Sequence, residues 1–421
     1  MSTSAAGRAN RDAVLGALLM HPGISISNVQ TIMQAVYGYT LQRRWLLRIK
    51  SRARGGARAA PNSALVPPPI LLDLMISLFY HSHGWNYGYR FVIAVLSDAF
   101  PTLHFSQRPV LDSMRRINPQ AFVIRTSQAL RGIVKNGFFF APHADALWQS
   151  DLNQVLQDYG ILTCSVVCVG SAYWLKLVAM TSKLSHITWE QCNLRAVLEN
   201  GGRLPDVWTT DKGSETHVTA YAVRAAKQWA NGGLPPAVPA HKYLDSTQQS
   251  IVESRNNSIN VTVNLHFKLV VVYMERVLHA YTRTNPQQKG ALQALLLPVV
   301  QHGLDQLRSA WNAHMVRSAH SNKGIPNRLR RERPHPGPQT MLPIGVDWTV
   351  EYENATGSQL RREPSWAAAR DPLYGQPQRQ AARAAAIMQM WGSVGAAYAD
   401  VVHNTGRSLF IPSYLVYLQY T

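Results

Sequence analysis

The sequence predicts an α/β protein in which a mixed-sheet core follows an all-α amino-terminal region and precedes a basic, partly irregular carboxyl-terminal region. Three observations support this prediction. Short runs rich in β-branched and aromatic residues cluster in the middle of the chain and are separated by tight turns. Apolar residues recur at helical spacing before them. Proline and arginine dominate the segment that follows them.

The first region, residues 1–66, predicts helical segments that end in a basic run from Arg43 to Arg54. Arginines spaced along one face of a helix can contact phosphates, and Arg43 and Arg44 are candidates for that contact. The alternative is a solvated helix face that doubles as a nuclear import signal.

The second region, residues 67–136, opens with three consecutive prolines and continues with apolar residues at helical spacing. Ser106 is a candidate N-cap for a helix that carries Arg108, Arg115 and Arg116. We expect either a helix-turn-helix DNA-binding domain or an ordinary helical bundle, because helical periodicity alone does not identify a recognition helix.

The third region, residues 137–322, carries the predicted sheet and a helical extension. The predicted strands are 147–155, 161–169, 173–180 and 207–210, and the predicted helices are 189–199, 217–229 and 251–278. Three neighbouring strands, a crossover helix and a fourth strand follow the order of a ribonuclease-H-like mixed sheet.

The fourth region, residues 323–421, begins with a Pro/Arg-rich stretch, 324–338, that predicts an exposed linker or an arm contacting nucleic acid. The alanine-rich segment 381–399 predicts a helix. The final apolar residues, 409–420, either pack back on the protein or contact a partner.

The charge of the chain indicates the class of partner. Its 42 Lys and Arg against 23 Asp and Glu give a formal net charge of +19, and the sequence pI is about 10.1. A strongly basic protein of this kind is expected to bind a polyanion, and nucleic acid is the first choice. Anionic lipid is the alternative, but the sequence shows no amphipathic anchor or lipidation signal.

We therefore expect a soluble protein without a membrane or a small-molecule partner. The longest apolar stretches fall short of the roughly 20 uninterrupted residues that a membrane span needs. Cys164, Cys168 and Cys192 are interpreted as small core residues, which fits a reducing compartment. The amino terminus lacks a secretory apolar core, so a nuclear or otherwise cytoplasmic protein is expected.

Three acids stand in settings that suit a two-metal site. Asp151 lies in the first predicted strand, Asp211 ends the fourth strand before a glycine turn, and Glu253 lies where the long helix begins. Mg²⁺ prefers carboxylate oxygens, so these side chains could share a pair of ions at one edge of the sheet. Acids at strand ends are also common as turn or cap residues. Asp245 is a rival third ligand, although a strand is expected to precede it.

Three short motifs surround these acids. Leu147-Trp-Gln-Ser-Asp151-Leu-Asn153 and Asp211-Lys-Gly-Ser-Glu215-Thr216 hold the aspartates, and Ser246 precedes Glu253 by seven positions. In order and placement they resemble the Leu-Trp-His-x-Asp-Gly-Asn, Asp-x-Gly-x-Glu-Asn and Ser-to-Glu motifs of integrase core domain transposases of eukaryotic mobile elements. That family belongs to the DDE transposase and retroviral-type integrase superfamily. The resemblance covers about residues 85–330.

The resemblance implies a DNA integrase or transposase with a ribonuclease-H-like core and a multimeric assembly, because joining two DNA ends requires paired active sites. Asp151 and Asp211 would bridge two Mg²⁺ or Mn²⁺ ions while Glu253 completes one of them. Lys212, Lys242 and Arg255 are candidates to neutralise phosphates near the site, with solvated surface charge as the alternative. Glu215 is either a supporting hydrogen-bond partner or a helix-first-turn acid.

Several positions depart from the family pattern. Leu152 replaces a glycine, Thr216 an asparagine, and Ile251 and Ser254 occupy the places of arginines that flank the glutamate. Loss of such supporting residues can cost roughly 10- to 100-fold in metal affinity or activity. A catalytically inactive, decayed or domesticated DNA-binding protein on the same fold is therefore the competing hypothesis, and a nuclease acting on RNA is a third.

Other chemistry has weaker support. His81 and His83 form a His-x-His pair, but no third ligand lies near them in the sequence, and a packing or loop role is the preferred interpretation. No nucleophile elbow surrounds Ser165, Ser171 or Ser214, and no phosphate-cradling glycine loop with its lysine is present.

Overall fold

The computed structural model describes residues 5–20, 26–27, 29–30, 34, 41–54, 66–83, 88–119, 141–244, 250–316, 324–362 and 371–420. The chain divides into two compact units, Met1–Gly132 and Ile133–Thr421. The predicted rival ligand Asp245, the Ser246 motif residue and the side chains of His81 and His83 lie outside the described residues.

The first unit is helical where it is described. Its helices are α1 (Ala5–Met20), α2 (Arg43–Arg54), α3 (Pro69–His83), α4 (Tyr89–Ala99) and α5 (Gln107–Ile117). Leu46 and Ile49 of α2 are buried, while Arg43 and Arg44 are exposed on its other face. This amphipathic arrangement is what the sequence predicts for a helix with one basic face.

An ion pair joins α3 to α5. The guanidinium of Arg116 lies 2.7 Å from the carboxylate of the buried Asp73. Residues 100–106 connect α4 to α5, which is longer than the about 3–4-residue turn of a helix-turn-helix motif. The DNA-reading role of this unit stays a prediction.

The second unit contains a five-stranded mixed sheet, which confirms the predicted α/β class. Its strands are β1 (Leu147–Asn153), β2 (Leu162–Cys168), β3 (Tyr173–Met180), β4 (Val207–Thr210) and β5 (His241–Tyr243). They lie in the order β3-β2-β1-β4-β5. The pairs β1–β2 and β2–β3 are antiparallel, whereas β1–β4 and β4–β5 are parallel. Strands β1 and β4 therefore begin at one edge of the sheet, the amino edge, and end at the opposite edge, the carboxyl edge.

The two faces of the sheet have different neighbours, because successive side chains of a strand point to opposite faces. Trp148 of β1 belongs to the main apolar cluster with Cys164 of β2 and Trp208 of β4. Asp151 pairs with Ser165 in the register of β1 and β2, so it lies on the opposite face.

Helices cover both faces. The crossover helix between β3 and β4 consists of α6 (Ser185–Thr188), a π turn (Trp189–Asn193) and α7 (Leu194–Glu199), and it begins before the predicted Trp189. Together with α8 (His217–Ala230) it buries the main apolar cluster. Cys164, Cys168 and Cys192 are buried free thiols, as predicted.

The other face receives a long helix. It comprises α9 (Ser250–Ile259), a π turn (Asn260–Asn264) and α10 (Leu265–Arg276), and α9 packs against β1. Helix α11 (Pro286–Ala313) packs against β3, where the Asn312 side chain accepts from the Trp174 main-chain N–H and donates to its carbonyl. These contacts position α9, the helix that carries Glu253, beside β1, the strand that carries Asp151.

Residues 324–342, here called the C-terminal arm, contain α12 (Pro326–Glu332) and lie against the amino edge. The main-chain N–H of Ala144 donates to Arg333, and that of Leu204 donates to Thr340. Arg330 forms a largely buried ion pair with Asp145. Many side chains of the C-terminal arm are exposed, as expected of a linker, but the main chain of the arm is hydrogen-bonded to the core.

The last helices are α13 (Trp348–Thr356), α14 (Pro377–Trp391), α15 (Val394–Asn404) and α16 (Phe410–Gln419). The single helix predicted over 381–399 is divided at Gly392, whose positive φ of 69° ends α14. Helix α16 packs on α11 and α14, so the final apolar residues pack back on the protein. Within the described ranges, every helix is too short or too polar to cross a lipid bilayer.

Candidate metal-binding sites

The three predicted acids, here called the acidic trio, come from three elements near the carboxyl edge. Asp151 is the fifth residue of β1, Asp211 follows the last residue of β4, and Glu253 lies in the first turn of α9. Because β1 and β4 are parallel neighbours, the chain direction alone brings Asp151 and Asp211 toward the same edge. Helix α9 packs against β1 and brings Glu253 to that strand.

The charges of Asp211 and Glu253 both influence Asp151, which indicates that the three acids share one environment. Burial, the negative charge of Asp211 and the weaker influence of Glu253 raise the pKa of Asp151 to about 6, against the opposing hydrogen bonds from Leu152 and Asn256. Like charges that cannot be well solvated disfavour each other's ionised forms. A bound cation would relieve this repulsion, so the charge distribution fits a metal site.

The carboxylate of Asp151 is held in place by two donors. The Leu152 main-chain N–H donates to Oδ1 at 2.8 Å, and the Asn256 side-chain amide donates to Oδ2 at 2.7 Å. Asn256 stands three residues after Glu253 on α9, so one helical turn presents both side chains toward β1. Asn256 was not predicted from the sequence.

An asparagine ladder extends this contact. The side-chain amide of Asn153 donates to the main-chain carbonyl of Asn256 at 3.3 Å and to the side-chain Oδ1 of Asn260 at 2.7 Å. Asn264 donates to the same Asn260 oxygen at 3.1 Å. The four-residue spacing of Asn256, Asn260 and Asn264 was the sequence signal that could have revealed this docking surface.

The loop after Asp211 is compact. The Gly213 N–H donates to Oδ1 of Asp211 at 3.3 Å, and the Thr216 hydroxyl lies 3.3 Å from the Asp211 carbonyl and 2.8 Å from that of Gly213. A Cβ at Gly213 would lie 2.4 Å from the carboxylate of the buried Glu215. A side chain larger than hydrogen is therefore excluded at Gly213 unless Glu215 moves.

The carboxylate oxygens of the trio, all in described residues, do not lie within 4.8 Å of one another as a set. The ligands of two ions that lie about 3.5–4 Å apart can be farther from one another than the ligands of a single ion. All the donors are oxygens, which suits Mg²⁺ or Mn²⁺.

The predicted phosphate contacts differ in exposure. Lys212 and Lys242 are exposed. Arg255 is buried, its guanidinium lies 3.7 Å from the centre of the Trp311 ring, and burial lowers its pKa. This stacking on Trp311 replaces the predicted phosphate contact of Arg255 with a packing role.

In the first unit, Arg43, Arg44 and Arg108 are exposed, as a phosphate contact requires. Arg115 is also exposed, but it pairs with Asp112 on its own helix at 3.3 Å. Surface pairs of this kind are weak, so the pairing does not prevent Arg115 from contacting a phosphate.

A second cluster, His143, Asp206 and His335, could hold a metal ion. Its candidate ligand atoms all lie within 4.8 Å of one another. Nε2 of His335 lies 2.9 Å from one Asp206 oxygen, and Nε2 of His143 lies 3.6 Å from the other. We call this group the histidine cluster. It lies at the amino edge, because His143 precedes β1 and Asp206 directly precedes β4.

The histidine cluster was not predicted from the sequence. Its members stand at positions 143, 206 and 335, and none belongs to a short motif with metal-ligand spacing. His335 lies in the Pro/Arg-rich stretch that the sequence predicts to be exposed, and only the folded arm brings it to Asp206.

Comparison with protein-family models gives no match for this chain. Comparison with curated proteins gives no match either.

Proposed function

We propose that this protein is a divalent-metal-dependent DNA integrase or transposase that cleaves and joins phosphodiester bonds. The observation that carries the proposal is that the parallel pairing of β1 with β4 and the packing of α9 on β1 bring Asp151, Asp211 and Glu253 toward one edge of a mixed sheet. Burial and the nearby charges of Asp211 and Glu253 raise the pKa of Asp151 there, which is consistent with such a cluster. The strand order β3-β2-β1-β4-β5 supports it, since a ribonuclease-H-like sheet has the same order.

In this proposal Asp151, Asp211 and Glu253 are the residues that would hold two Mg²⁺ or Mn²⁺ ions. Bound ions of this kind activate an attacking water or 3′-hydroxyl and stabilise the leaving oxygen. The protein's own contribution is orientation. Asn256 and the Leu152 N–H fix the Asp151 carboxylate, and Gly213 keeps the Asp211 loop tight.

The charge of the chain supports DNA as the partner. The net charge is +19, and Lys212 beside Asp211 and Lys242 on β5 are exposed near the carboxyl edge. Exposed lysines and arginines neutralise phosphates and give sequence-independent affinity. Arg43, Arg44, Arg108 and Arg115 would add contacts from the first unit. A homo-oligomer and a nuclear location belong to the same proposal.

A catalytically inactive DNA-binding protein is the second candidate, and a specific observation favours it. Asn256 already occupies Oδ2 of Asp151, the buried Arg255 next to it stacks on Trp311, and Leu152 and Thr216 depart from the family pattern. A carboxylate that is satisfied by an amide has less need of a cation.

One experiment separates these functions. Purified full-length protein is incubated with end-labelled double-stranded DNA and Mg²⁺ or Mn²⁺, and products are resolved on denaturing gels while binding is followed by mobility shift. Nicked and joined strands that disappear with EDTA and in Glu253→Gln support the integrase. A shift without new products supports the inactive DNA-binding protein.

Two further arms complete the experiment. Cleavage confined to RNA or RNA/DNA hybrids would favour a nuclease that acts on RNA. Full activity in Glu253→Gln together with loss of activity in Asp245→Asn would identify Asp245, and not Glu253, as the third metal ligand.

A further inference from the structure

The histidine cluster is separate from the acidic trio. Asp206 and Asp211 bracket β4, and five residues of strand at about 3.3 Å each place them about 16 Å apart. The two groups therefore cannot share one ion, and the histidine cluster requires its own explanation.

Its donor atoms lie close enough together to share one ion, since all are within 4.8 Å of one another. Zinc bound at about 2.0–2.1 Å places neighbouring tetrahedral ligands about 3.3 Å apart. Nε2 of His335 lies 2.9 Å from one Asp206 oxygen and Nε2 of His143 lies 3.6 Å from the other, on either side of that value. The rings of His143 and His335 meet edge to face with their centres 4.8 Å apart, so both Nε2 atoms can face the same carboxylate.

The surroundings of His143 favour a metal ligand, since its Nδ1 lies 2.9 Å from the Ala144 carbonyl. Nδ1 of His335 lies 2.7 Å from the Gly337 carbonyl and also 3.2 Å from the Gly337 N–H, which donates to it; these two contacts require opposite protonation of this nitrogen and leave the tautomer of His335 open. When Nδ1–H donates to a main-chain carbonyl, Nε2 keeps its lone pair. Histidine ligands of metals are commonly oriented by such a contact.

Lys227 leaves the carboxylate of Asp206 available. Lys227 of α8 donates to the main-chain carbonyl of Asp206 and not to its side chain. The Asp206 side chain is 47% exposed, whereas those of His143 and His335 are 18% and 13% exposed. Asp206 and Lys227 also line a cleft of about 540 Å³.

We propose that His143, Asp206 and His335 bind a zinc-class transition-metal ion that fastens the C-terminal arm to the amino edge of the sheet. The two imidazole nitrogens select zinc over magnesium, which prefers oxygen ligands. The three ligands come from three distant chain segments, so binding of the ion stabilises the folded arm. This inference does not depend on the proposed function.

The test uses the full-length protein after treatment with EDTA and dialysis. Co²⁺ is titrated as a probe, its visible absorption reports tetrahedral coordination, and Zn²⁺ competition gives the affinity. The variants are His335→Ala, the conservative Asp206→Asn, Asp151→Asn in the acidic trio, and His104→Ala, which removes an exposed histidine of the first unit.

We expect one Co²⁺ per chain that Zn²⁺ displaces, with at least about 10-fold weaker binding in His335→Ala and Asp206→Asn. Asp151→Asn and His104→Ala should bind normally. Absence of tetrahedral Co²⁺ absorption in the unsubstituted protein, or its loss in Asp151→Asn with retention in His335→Ala, would overturn the proposal. Circular dichroism checks the fold, and Asp206→Asn preserves side-chain volume if His335→Ala does not fold.

Limited trypsin digestion provides a second readout. Arg328 and Arg331 of the C-terminal arm are exposed. Zn²⁺ should slow cleavage at these arginines in the unsubstituted protein and leave the rate unchanged in His335→Ala. Equal cleavage rates with and without Zn²⁺ in the unsubstituted protein would contradict the fastening role. DNA joining can fail while both readouts hold, so the two proposals fail independently.

Discussion

The amino and carboxyl edges of the sheet are built on the same two parallel strands but collect different donor atoms. At the carboxyl edge β1 and β4 contribute carboxylates only, and burial together with their mutual repulsion raises the pKa of Asp151. At the amino edge the same strands are preceded by His143 and Asp206, and the C-terminal arm adds His335. A parallel strand pair thus offers two candidate sites of different chemistry, an oxygen site and a mixed nitrogen and oxygen site.

The largest expected difference between the edges is catalytic. Asp211→Asn should lower the rate of Mg²⁺-dependent DNA joining by at least about 10³-fold, because it removes a ligand of ions that supply several kcal/mol of charge stabilisation. Asp206→Asn, the same change at the other end of β4, should retain activity within about twofold. Single-turnover rates on labelled DNA measure both. Equal losses would mean that the two edges act as one site.

The next effect concerns stability at the amino edge. Arg330 contacts both carboxylate oxygens of Asp145, whose side chain is 8% exposed. Arg330→Met should reduce the free energy of unfolding by about 3 kcal/mol, because an unpaired buried carboxylate remains. Arg331→Met, at the exposed neighbouring position, is the control and should change it by less than about 0.5 kcal/mol. Urea unfolding followed by circular dichroism gives both values, and similar losses would refute the role of the buried pair.

A smaller effect is expected where α9 docks on β1. Asn256→Ala should lower the rate of DNA joining by roughly 10- to 100-fold, because the Asp151 carboxylate loses the donor that orients it. Asn257 is exposed on the same helix, so Asn257→Ala should be neutral. Faster joining in Asn256→Ala would instead show that the amide blocks a cation, as the inactive-protein hypothesis implies.

The smallest effect is a change in how stability depends on pH. The pKa of Asp151 is about 6 in the folded protein against 3.8 for an ordinary aspartate. Between these values the folded state binds more protons than the unfolded state, so the free energy of unfolding falls as pH rises from about 4 to 6.

Asp151→Asn abolishes this fall in the free energy of unfolding. It also removes one of the two hydrogen bonds that the Asp151 carboxylate accepts. At pH 7 in EDTA it should be more stable than the unsubstituted protein by roughly 1–2 kcal/mol, and at pH 4 the gain should vanish. Urea unfolding at both pH values measures it, with the exposed Asp98→Asn as control. A gain that persists at pH 4 would show that the buried charge of Asp151, with its repulsion by Asp211 and Glu253, is not the cause of the gain.

The sequence predicted the parts of the fold that depend on local pattern. Strand β3 and strand β4 have the predicted bounds, and α8 ends one residue beyond its predicted end, because alternation and helical periodicity are visible in short windows. The placement of Asp151 and Asp211 toward one edge also followed from strand order.

What the sequence did not predict depends on contacts between distant segments. Asp145 adopts a positive φ of 63° and accepts from the Trp148 indole at 2.8 Å, which no spacing rule reveals. Arg255 stands two residues after Glu253 in a basic chain, but the ring of Trp311 on α11 determines the position of its guanidinium. The histidine cluster likewise exists only after the C-terminal arm has folded against β4.

The π turn Asn260–Asn264 sets the rotation of the first half of the long helix relative to the second. Each residue of an α-helix rotates the chain by about 100°, so deleting one residue between Asn260 and Asn264 would turn the Glu253 side of the helix away from β1. The downstream half would keep Phe267, Val271 and Met274 buried. Under the proposed function, a length change within this single turn would therefore separate Glu253 from the two aspartates while leaving the second half of the helix packed.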